Sequence, residues 1–204
     1  MSRTAPSGRS TRPVVLACHL TLDLPLATLS AAQEQPGMAT CYELDQRNGT
    51  IGFTLDHLGM VNASGEVLRF TAHAAVPLGG ARGAAVALEL DTSSVRLAGP
   101  RGAHERGAPD RLRSTVRFRS TSCEATGADR WTLRGLLEVG GVTRLVVLAV
   151  HLNERHVDPI TRTQIAEFLA TTLVQPSSFD LNGVLMTDAV ELRIRARVER
   201  DVPV

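Results

Sequence analysis

The sequence predicts an all-β fold, an antiparallel β-barrel of about eight strands with little helix. Short stretches in which apolar and polar residues alternate recur at even spacing along the 204-residue chain, and a period of two is typical of β-strands. Glycine-rich or polar segments separate these stretches, as in hairpins. The sequence shows neither heptads nor a long amphipathic helix. A closed barrel is favoured over an open sandwich because closure leaves no exposed strand edges.

The clearest element is a hairpin over residues 131–152. In its first strand, Trp131 and Leu133 share an apolar face that continues to Val139, with polar residues opposite. Gly140-Gly141 supplies a two-residue turn, which needs the positive φ that glycine adopts freely. The second strand is apolar at every position from 145 to 150. Such a strand is covered on both sides, or one of its faces is available to a partner.

The remaining elements follow the same rules. Turns are predicted at 46–49, 62–65 and 79–83, and residues 97–114 form a long surface loop rich in Gly, Pro, Ala and Arg. The 79–83 turn lacks the lysine and helix of a phosphate-binding P-loop, so it is predicted to be a plain hairpin. The strands are predicted at residues 42–45, 51–57, 68–78, 86–91, 116–120, 131–139, 145–150, 162–174 and 190–199.

The side chains expected to face the barrel interior are the apolar members of each alternation. His57 falls on the same face, at the end of its strand. The predicted inward set is Ile51, Phe53, Leu55, Leu68, Phe70, Val86, Leu88, Phe118, Trp131, Leu133, Val190, Leu192 and Ile194.

Composition narrows the possible functions. The formal net charge is +1 and aromatic residues make up 3% of the chain, which argues against a nucleic-acid-binding protein. The three cysteines are odd in number and lack C-x-x-C spacing, so neither a disulfide framework nor a zinc knuckle is expected. Small idle thiols are the simplest interpretation. A Cys41–Cys123 bridge stays open for a chain in an oxidising compartment.

Residues 1–38 are expected to form a weakly ordered extension ahead of a barrel domain at 39–204. The apolar run that ends at Cys18 is shorter than the roughly 7–15 residues of a signal-peptide core. No stretch reaches the roughly 20 apolar residues of a membrane helix. A cytoplasmic location is therefore predicted, with secretion or a periplasmic location as the alternative.

Several motifs stand in a characteristic order from Tyr42 onward. They are Tyr42-Glu43-Leu44-Asp45, the segment 51–59 with Phe53 and His57, Asp91-Thr92-Ser93-Ser94-Val95, Phe118-Arg119-Ser120-Thr121, the hairpin segment 135–144, and the closing segments 178–181 and 187–192. In this order they resemble the YceI-like family of polyisoprenoid-binding, lipocalin-like barrels. The family's aromatic pair and Tyr/Phe-Pro before the Phe-x-Ser strand are missing here.

The resemblance implies binding of a long-chain isoprenoid or similar amphiphilic lipid inside the barrel, with no enzymatic activity, metal or other cofactor. The tail would contact the inward apolar side chains, and the head would lie near His57 and the arginine-rich loop. A homodimer is possible. The predicted ligand-binding residues are Phe53, Leu55, His57, Phe70, Phe118, Trp131, Leu133, Arg111 and Arg113.

Two alternatives remain open. The inward side chains of a small barrel can simply fill it, which would make the protein a ligand-free structural barrel. His151, His156 and Asp158 could form a metal site, which would point to an enzyme. The sequence contains no nucleophile elbow, no HExxH motif and no evident pair of buried carboxylates.

Overall fold

The computed structural model describes residues 39–58, 60–77, 80, 82–98, 115–181 and 187–201. These residues form eleven β-strands and two short 3-10 helices, at Thr92–Ser94 and Pro176–Phe179. The strands are β1 (Ala39–Leu44), β2 (Gly49–His57), β3 (Met60–Val67), β4 (Phe70–Pro77), β5 (Ala85–Asp91), β6 (Val95–Ala98), β7 (Thr115–Gly127), β8 (Arg130–Val139), β9 (Val142–Val157), β10 (Thr163–Val174) and β11 (Ala189–Asp201).

The described strands form a single antiparallel sheet in the order β1-β4-β5-β7-β8-β9-β10-β11-β2-β3-β6. The sheet curls strongly into a half-barrel whose concave side carries the core. The strand pairing ends at β1 on one edge and at β6 on the other. The antiparallel barrel-type fold is thus confirmed, although the sheet contains eleven strands where about eight were expected.

A polar corner connects the two edge regions of the sheet. Only Leu68 and Arg69 separate β3 from β4, and the Leu68 N–H donates to the Ser94 carbonyl at 3.2 Å. The Arg69 N–H donates to Ser94 Oγ at 2.8 Å, and Ser94 Oγ donates to the Asp91 carbonyl at 2.6 Å. Asp91 caps the first 3-10 helix by accepting from the Ser93 N–H at 2.9 Å. The Asp-x-x-Ser-Val motif is therefore a structural corner.

Three local predictions were wrong. Residues 62–65, expected to be a turn, lie within β3, and residues 97–98, expected to begin the long loop, are the last two residues of β6. Both segments pair in the sheet, and that long-range pairing has no local signal. Leu68 is exposed and does not face the interior, because the corner at Leu68-Arg69 interrupts the alternation between β3 and β4.

The central hairpin is confirmed as β8 and β9. Gly140 and Gly141 have φ of 60° and 85°, the left-handed values that favour glycine in such a turn. Leu133 and Leu148 are buried partners across the two strands. On the opposite face of β9, however, Leu145 is largely exposed. The uniformly apolar strand therefore has one covered face and one face open to solvent.

The interpretation of the cysteines as small, unreactive thiols holds for Cys123 and fails for Cys41. Cys41 on β1 is in a disulfide bond, so it is not an idle thiol. Cys123 on β7 is a free, buried thiol, so the Cys41–Cys123 bridge is not formed. Desolvation raises the pKa of the Cys123 thiol, which keeps it in its less reactive neutral form.

Candidate functional site

The concave face of the sheet forms a nearly continuous apolar wall. Strand register places Phe53 on β2 opposite Leu192 on β11, and Ile51 opposite Ile194. Leu133 on β8 lies opposite Leu148 on β9. The buried members of this wall form one cluster, because inward residues alternate with outward polar residues on most strands. An apolar interior of this kind favours a hydrophobic ligand or dense packing.

Two phenylalanine rings lie against glycines in the wall. A Cβ atom at Gly65 would come within 2.5 Å of the Phe53 ring and of the Arg96 carbonyl oxygen. At Gly135 it would lie 2.4 Å from the Phe118 ring and 2.5 Å from the Arg119 carbonyl oxygen. The rings can therefore pack against the backbone only because these positions lack side chains. This packing explains the glycine at position 65 in β3 and the glycine that begins the hairpin motif at position 135.

The wall lines a small, partly open cavity of about 20 Å³. This is close to the volume that a single water molecule requires, about 10–15 Å³. The lining surface is entirely apolar, including the part that Thr172 contributes, so a water there would find no hydrogen-bond partner. The cavity is lined by Ile51, Leu88, Leu90, Val116, Phe118, Leu137, Leu148, Thr172, Leu192 and Ile194.

Trp131 and Phe168 form an aromatic pair on the inner side of β8 and β10. Their ring centroids are 6.1 Å apart and their planes are inclined by 56°, a favourable tilted arrangement. Both residues are only partly buried, and Trp131 packs against the core cluster. They provide apolar contact area that is still accessible from outside the core.

His57 and Asp188 meet at the end of β2. The Asp188 Oδ2 atom accepts a hydrogen bond from the Leu58 N–H at 2.9 Å and lies 3.4 Å from His57 Nδ1. The latter geometry is not that of a hydrogen bond, and the buried Nδ1 atom has no hydrogen-bond partner within the described structure. Such an atom is unusual in a folded protein.

The other predicted ligand-binding residues occupy different parts of the wall. Phe118 lines the cavity, and the partly buried Leu55 lies on the inward-facing side of β2. Phe70 and Leu133 are buried in the core cluster. The predicted head-group residues Arg111 and Arg113 lie outside the described residues.

The residues proposed for a metal site are engaged separately. His151 Nδ1 lies 2.9 Å from Asn153 Oδ1, and His156 Nδ1 lies 3.2 Å from Glu154 Oε1. Asp158 Oδ1 accepts hydrogen bonds from the backbone of the following turn. Among the described residues, no group of three or more His, Cys, Asp or Glu side chains is arranged to hold a metal ion.

Sequence reasoning did not single out two features of the interior. Thr172 lines the cavity through its apolar atoms, and Asp188 is the carboxylate beside His57. Alternation along β10 could have placed Thr172 on the inward face, but its cavity position depends on how the strands are staggered. Asp188 is 131 residues from His57 in sequence, and only the β2–β11 pairing brings the two together.

Comparison with known proteins settles the family. The profile of the YceI-like domain matches residues 42–198. The chain belongs to the YceI-like family. This membership, together with the barrel-type fold, supports a binding protein. No curated protein sequence matches the chain.

Solved structures show the same fold at low sequence identity. BcnA from Burkholderia cenocepacia is 12% identical, with a TM-score of 0.55, and the match covers 74% of this chain and 96% of that protein. The Campylobacter jejuni YceI protein is 13% identical, with a TM-score of 0.54, and the match covers 72% of this chain and 91% of that protein. Within the described part of this chain, no helix is long and apolar enough to cross a bilayer.

Proposed function

We propose that this YceI-like barrel binds and carries a long-chain isoprenoid or a similar amphiphilic lipid in its interior. The observation that carries the proposal is the apolar concave wall, which lines a cavity with an entirely apolar surface. An apolar tail would be held by buried area, at roughly 25 cal/mol per Å² before ordering costs. The family resemblance supplies the ligand class.

The size of the cavity determines how binding must proceed. This cavity in the described part of the chain has a volume of about 20 Å³ and cannot hold a long tail, so binding at this position requires the wall to widen. The described sheet is not closed by strand pairing between β1 and β6, so its edges can separate without breaking a β-ladder. The partly buried pair Trp131 and Phe168 offers contacts that do not require opening the fully buried core.

The proposed residue roles follow from these positions. The tail lies along Phe53, Leu55, Phe70, Phe118, Trp131 and Leu133. His57 bonds the head group through its unsatisfied nitrogen, at a strand end where the ring is partly exposed. Arg111 and Arg113 meet a phosphate-bearing head, because guanidinium groups match phosphate oxygens.

The proposed activity is non-enzymatic. An enzyme would need reactive groups that converge on a substrate site, and His151, His156 and Asp158 each have separate local partners.

The cellular location is a separate question. The cytoplasmic prediction rests on the N-terminal sequence, whereas the disulfide at Cys41 favours an oxidising compartment, because cytosolic disulfides are rare.

The proposal is tested by prenyl-lipid uptake from detergent solution, measured by native mass spectrometry. Leu133→Trp adds bulk to a buried inward position and should abolish uptake. Leu136→Trp makes the same change at an exposed position on the other face of the same strand and should leave uptake intact. Equal uptake by both variants, or none by the wild type, would count against a ligand inside the barrel.

A further inference from the structure

The inner face of the sheet becomes more open toward the end that carries the β9–β10 turn. Along β8, the inward positions change from the buried Leu133 to the half-buried Trp131. Along β9, they change from the buried Leu148 to the half-buried Val150. The inward Phe168 on β10 is half-buried as well. This end of the interior therefore offers apolar surface that a ligand can reach from solvent.

Small side chains lie beside Phe168 at this open end. The β10–β11 ladder keeps one register throughout, so Ala166 and Ala170 share the inward face of Phe168. Ala196 on β11 is the cross-strand partner of Phe168 and lies on the same face. Between Ala166 and Ala170, β10 spans ~13 Å at the usual rise of a strand. We call Ala166, Phe168, Ala170 and Ala196 the apolar trough.

Two arginines lie on this inward face beyond Phe168. Arg155 on β9 is the cross-strand partner of Ala166. Arg200 on β11 is the partner of Gln164, which lies two residues before Ala166 on β10. Because directly opposite residues share a face, both arginines are on the side of the trough, with Cα positions ~12 Å apart from ordinary strand spacings. Both side chains are exposed, and neither forms an ion pair within the described part of the chain.

A β-bulge places an arginine beside the trough instead of a carboxylate. The β9–β10 register shifts by one residue directly after the Leu152–Phe168 pair. Without the shift, Glu154 would be opposite Ala166, and with the shift Arg155 takes that place. Bulges are frequent next to functional sites, where they change which side chain a strand presents. The bulge is therefore independent evidence that a cation on the inward face belongs to a binding site.

Strand alternation separates the arginines from most of the nearby carboxylates. The following acidic residues occupy positions of the opposite face: Glu154, Asp158, Glu167, Glu199 and Asp201. Asp129 is the exception, because its carbonyl accepts a hydrogen bond from the inward Leu152 N–H at 2.9 Å. In the turn that adjoins β11, Arg47 and Asp45 are bonded to each other. Two unpaired guanidinium groups therefore stand against one unpaired carboxylate, that of Asp129, at this end of the inward face.

We propose that this end of the interior binds a single-chain amphiphile whose head is an oxyanion such as phosphate. Arg155 and Arg200 donate charge-assisted hydrogen bonds to the head, and the Gln164 amide donates another from between them. The short Ala166 side chain leaves room for the head above β10. The tail lies in the apolar trough and against Trp131, where it is held by the apolar area that it removes from water.

This site is distinct from the head-group position proposed at His57. Asp56, the neighbour of His57, pairs with Ala189 at the start of β11, whereas Arg200 lies near the end of that strand. The β11 residues from Ala189 to Arg200 span ~36 Å, so one head group cannot reach both positions. The trough is also short, because Thr172 already belongs to the lining of the packed end. The ligand is therefore a short-chain amphiphile, and its binding does not depend on an isoprenoid in the interior.

Isothermal titration calorimetry of the full chain with decyl phosphate, below its micelle concentration, tests the proposal. The wild type should bind one decyl phosphate. Decanol, which has the same tail without the charge, should bind about tenfold more weakly or worse. Inorganic phosphate, which has the charge without the tail, should show no binding at the same concentrations, because it buries no apolar area.

Three variants test the assigned residues. Arg155→Gln combined with Arg200→Gln should weaken decyl phosphate binding on the order of tenfold or more. Asp129→Asn should strengthen binding by about twofold or more, because it removes the opposing charge. Ala166→Leu should block binding, because it fills the space between the two arginines.

Matched controls separate the site from general surface effects. Arg195 is exposed and unpaired on the same strand as Arg200, but its partner Leu169 places it on the opposite face, so Arg195→Gln should bind like the wild type. Ala149→Leu adds bulk at an exposed outer position of β9 and should also bind normally. Circular dichroism should show that every variant is folded.

Four results would overturn the proposal. They are no binding of decyl phosphate by the wild type, equal affinity for decanol, unchanged binding when both Arg155 and Arg200 are replaced, and an equal loss in Arg195→Gln. A signal from inorganic phosphate as strong as that from decyl phosphate would also overturn it, because the site would then hold a bare anion and not an amphiphile.

Discussion

The packing of Phe118 on Gly135 predicts a specific sensitivity to one added methyl group. In Gly135→Ala, the new Cβ would lie 2.4 Å from two atoms of the Phe118 ring and 2.5 Å from the Arg119 carbonyl oxygen. The ring is buried and the carbonyl belongs to a paired strand, so neither can move freely. Overpacking of this kind costs about 1–3 kcal/mol. Alanine also lowers the conformational entropy of the unfolded chain relative to glycine, which offsets about 0.5 kcal/mol of the overpacking cost.

The expected net loss is therefore about 1–2 kcal/mol in the free energy of unfolding, since the overpacking cost outweighs the entropic gain. For a chain of this size, that lowers the melting temperature by about 2–8 °C. Gly52→Ala is the matched control, because the nearest atoms to its Cβ would be at 3.7 and 4.0 Å, which are ordinary contacts. Its stability should change by less than about 0.5 kcal/mol.

Urea unfolding followed by the fluorescence of Trp131, the single tryptophan, measures both variants. Combining Gly135→Ala with Phe118→Leu tests the cause, because a smaller side chain relieves the ring contact. The double variant should then be less destabilised than the sum of the single changes. If Gly135→Ala proves no more destabilising than Gly52→Ala, the account of the inner wall is wrong.

Three further outcomes follow from other parts of the structure. Asp91→Ala should cost about 1 kcal/mol in urea unfolding, through loss of the cap on the first 3-10 helix. Hydrogen bonds from the Ser93 hydroxyl and the Arg69 side chain lower the pKa of Asp91 in the folded protein. The ionised carboxylate therefore contributes its full stabilisation above the unfolded pKa of about 4, and this stabilisation is lost as the pH falls through the lower folded pKa. Asp91→Asn should therefore approach wild-type stability in acid, and a constant difference across pH would contradict this. Cys123 should react with a thiol reagent only after the protein unfolds, and Cys41 only after its disulfide is reduced. If peptide mass mapping found that Cys123 is labelled rapidly in the native protein, that result would contradict its burial. His57→Ala should weaken uptake of a phosphate-bearing prenyl lipid more than that of the parent alcohol, and equal effects would remove His57 from the head-group site.

The local sequence pattern was sufficient to predict the strands in which apolar and polar residues alternate strictly. Trp131, Leu133 and Val139 predicted the inward face of β8, and the Gly140-Gly141 turn fixed its pairing with β9. The pattern failed where structure depends on distant partners. Gly65 suggests a turn when read locally, but it lies in β3, where it pairs with Phe53 of β2 and the Phe53 ring packs against it.

The candidate site could also be predicted only in part from the sequence. The apolar face of β2 predicted that Phe53 and Leu55 point inward, yet the cavity wall combines residues from several strands whose stagger the sequence does not encode. The aliphatic outer face of β9 was visible as an unbroken apolar run. Its exposure could not be predicted from the run itself, because whether another segment packs on a sheet face depends on distant parts of the chain.

Native mass spectrometry of the wild-type protein, purified without detergent from its own cells, tests the central claim most directly. We predict a protein mass raised by one amphiphile, which organic extraction removes and identifies as a prenyl-chain lipid. Protein that carries no such adduct and also fails to take up prenyl lipids from solution would contradict the claim. The apolar wall would then be the packed core of a structural barrel.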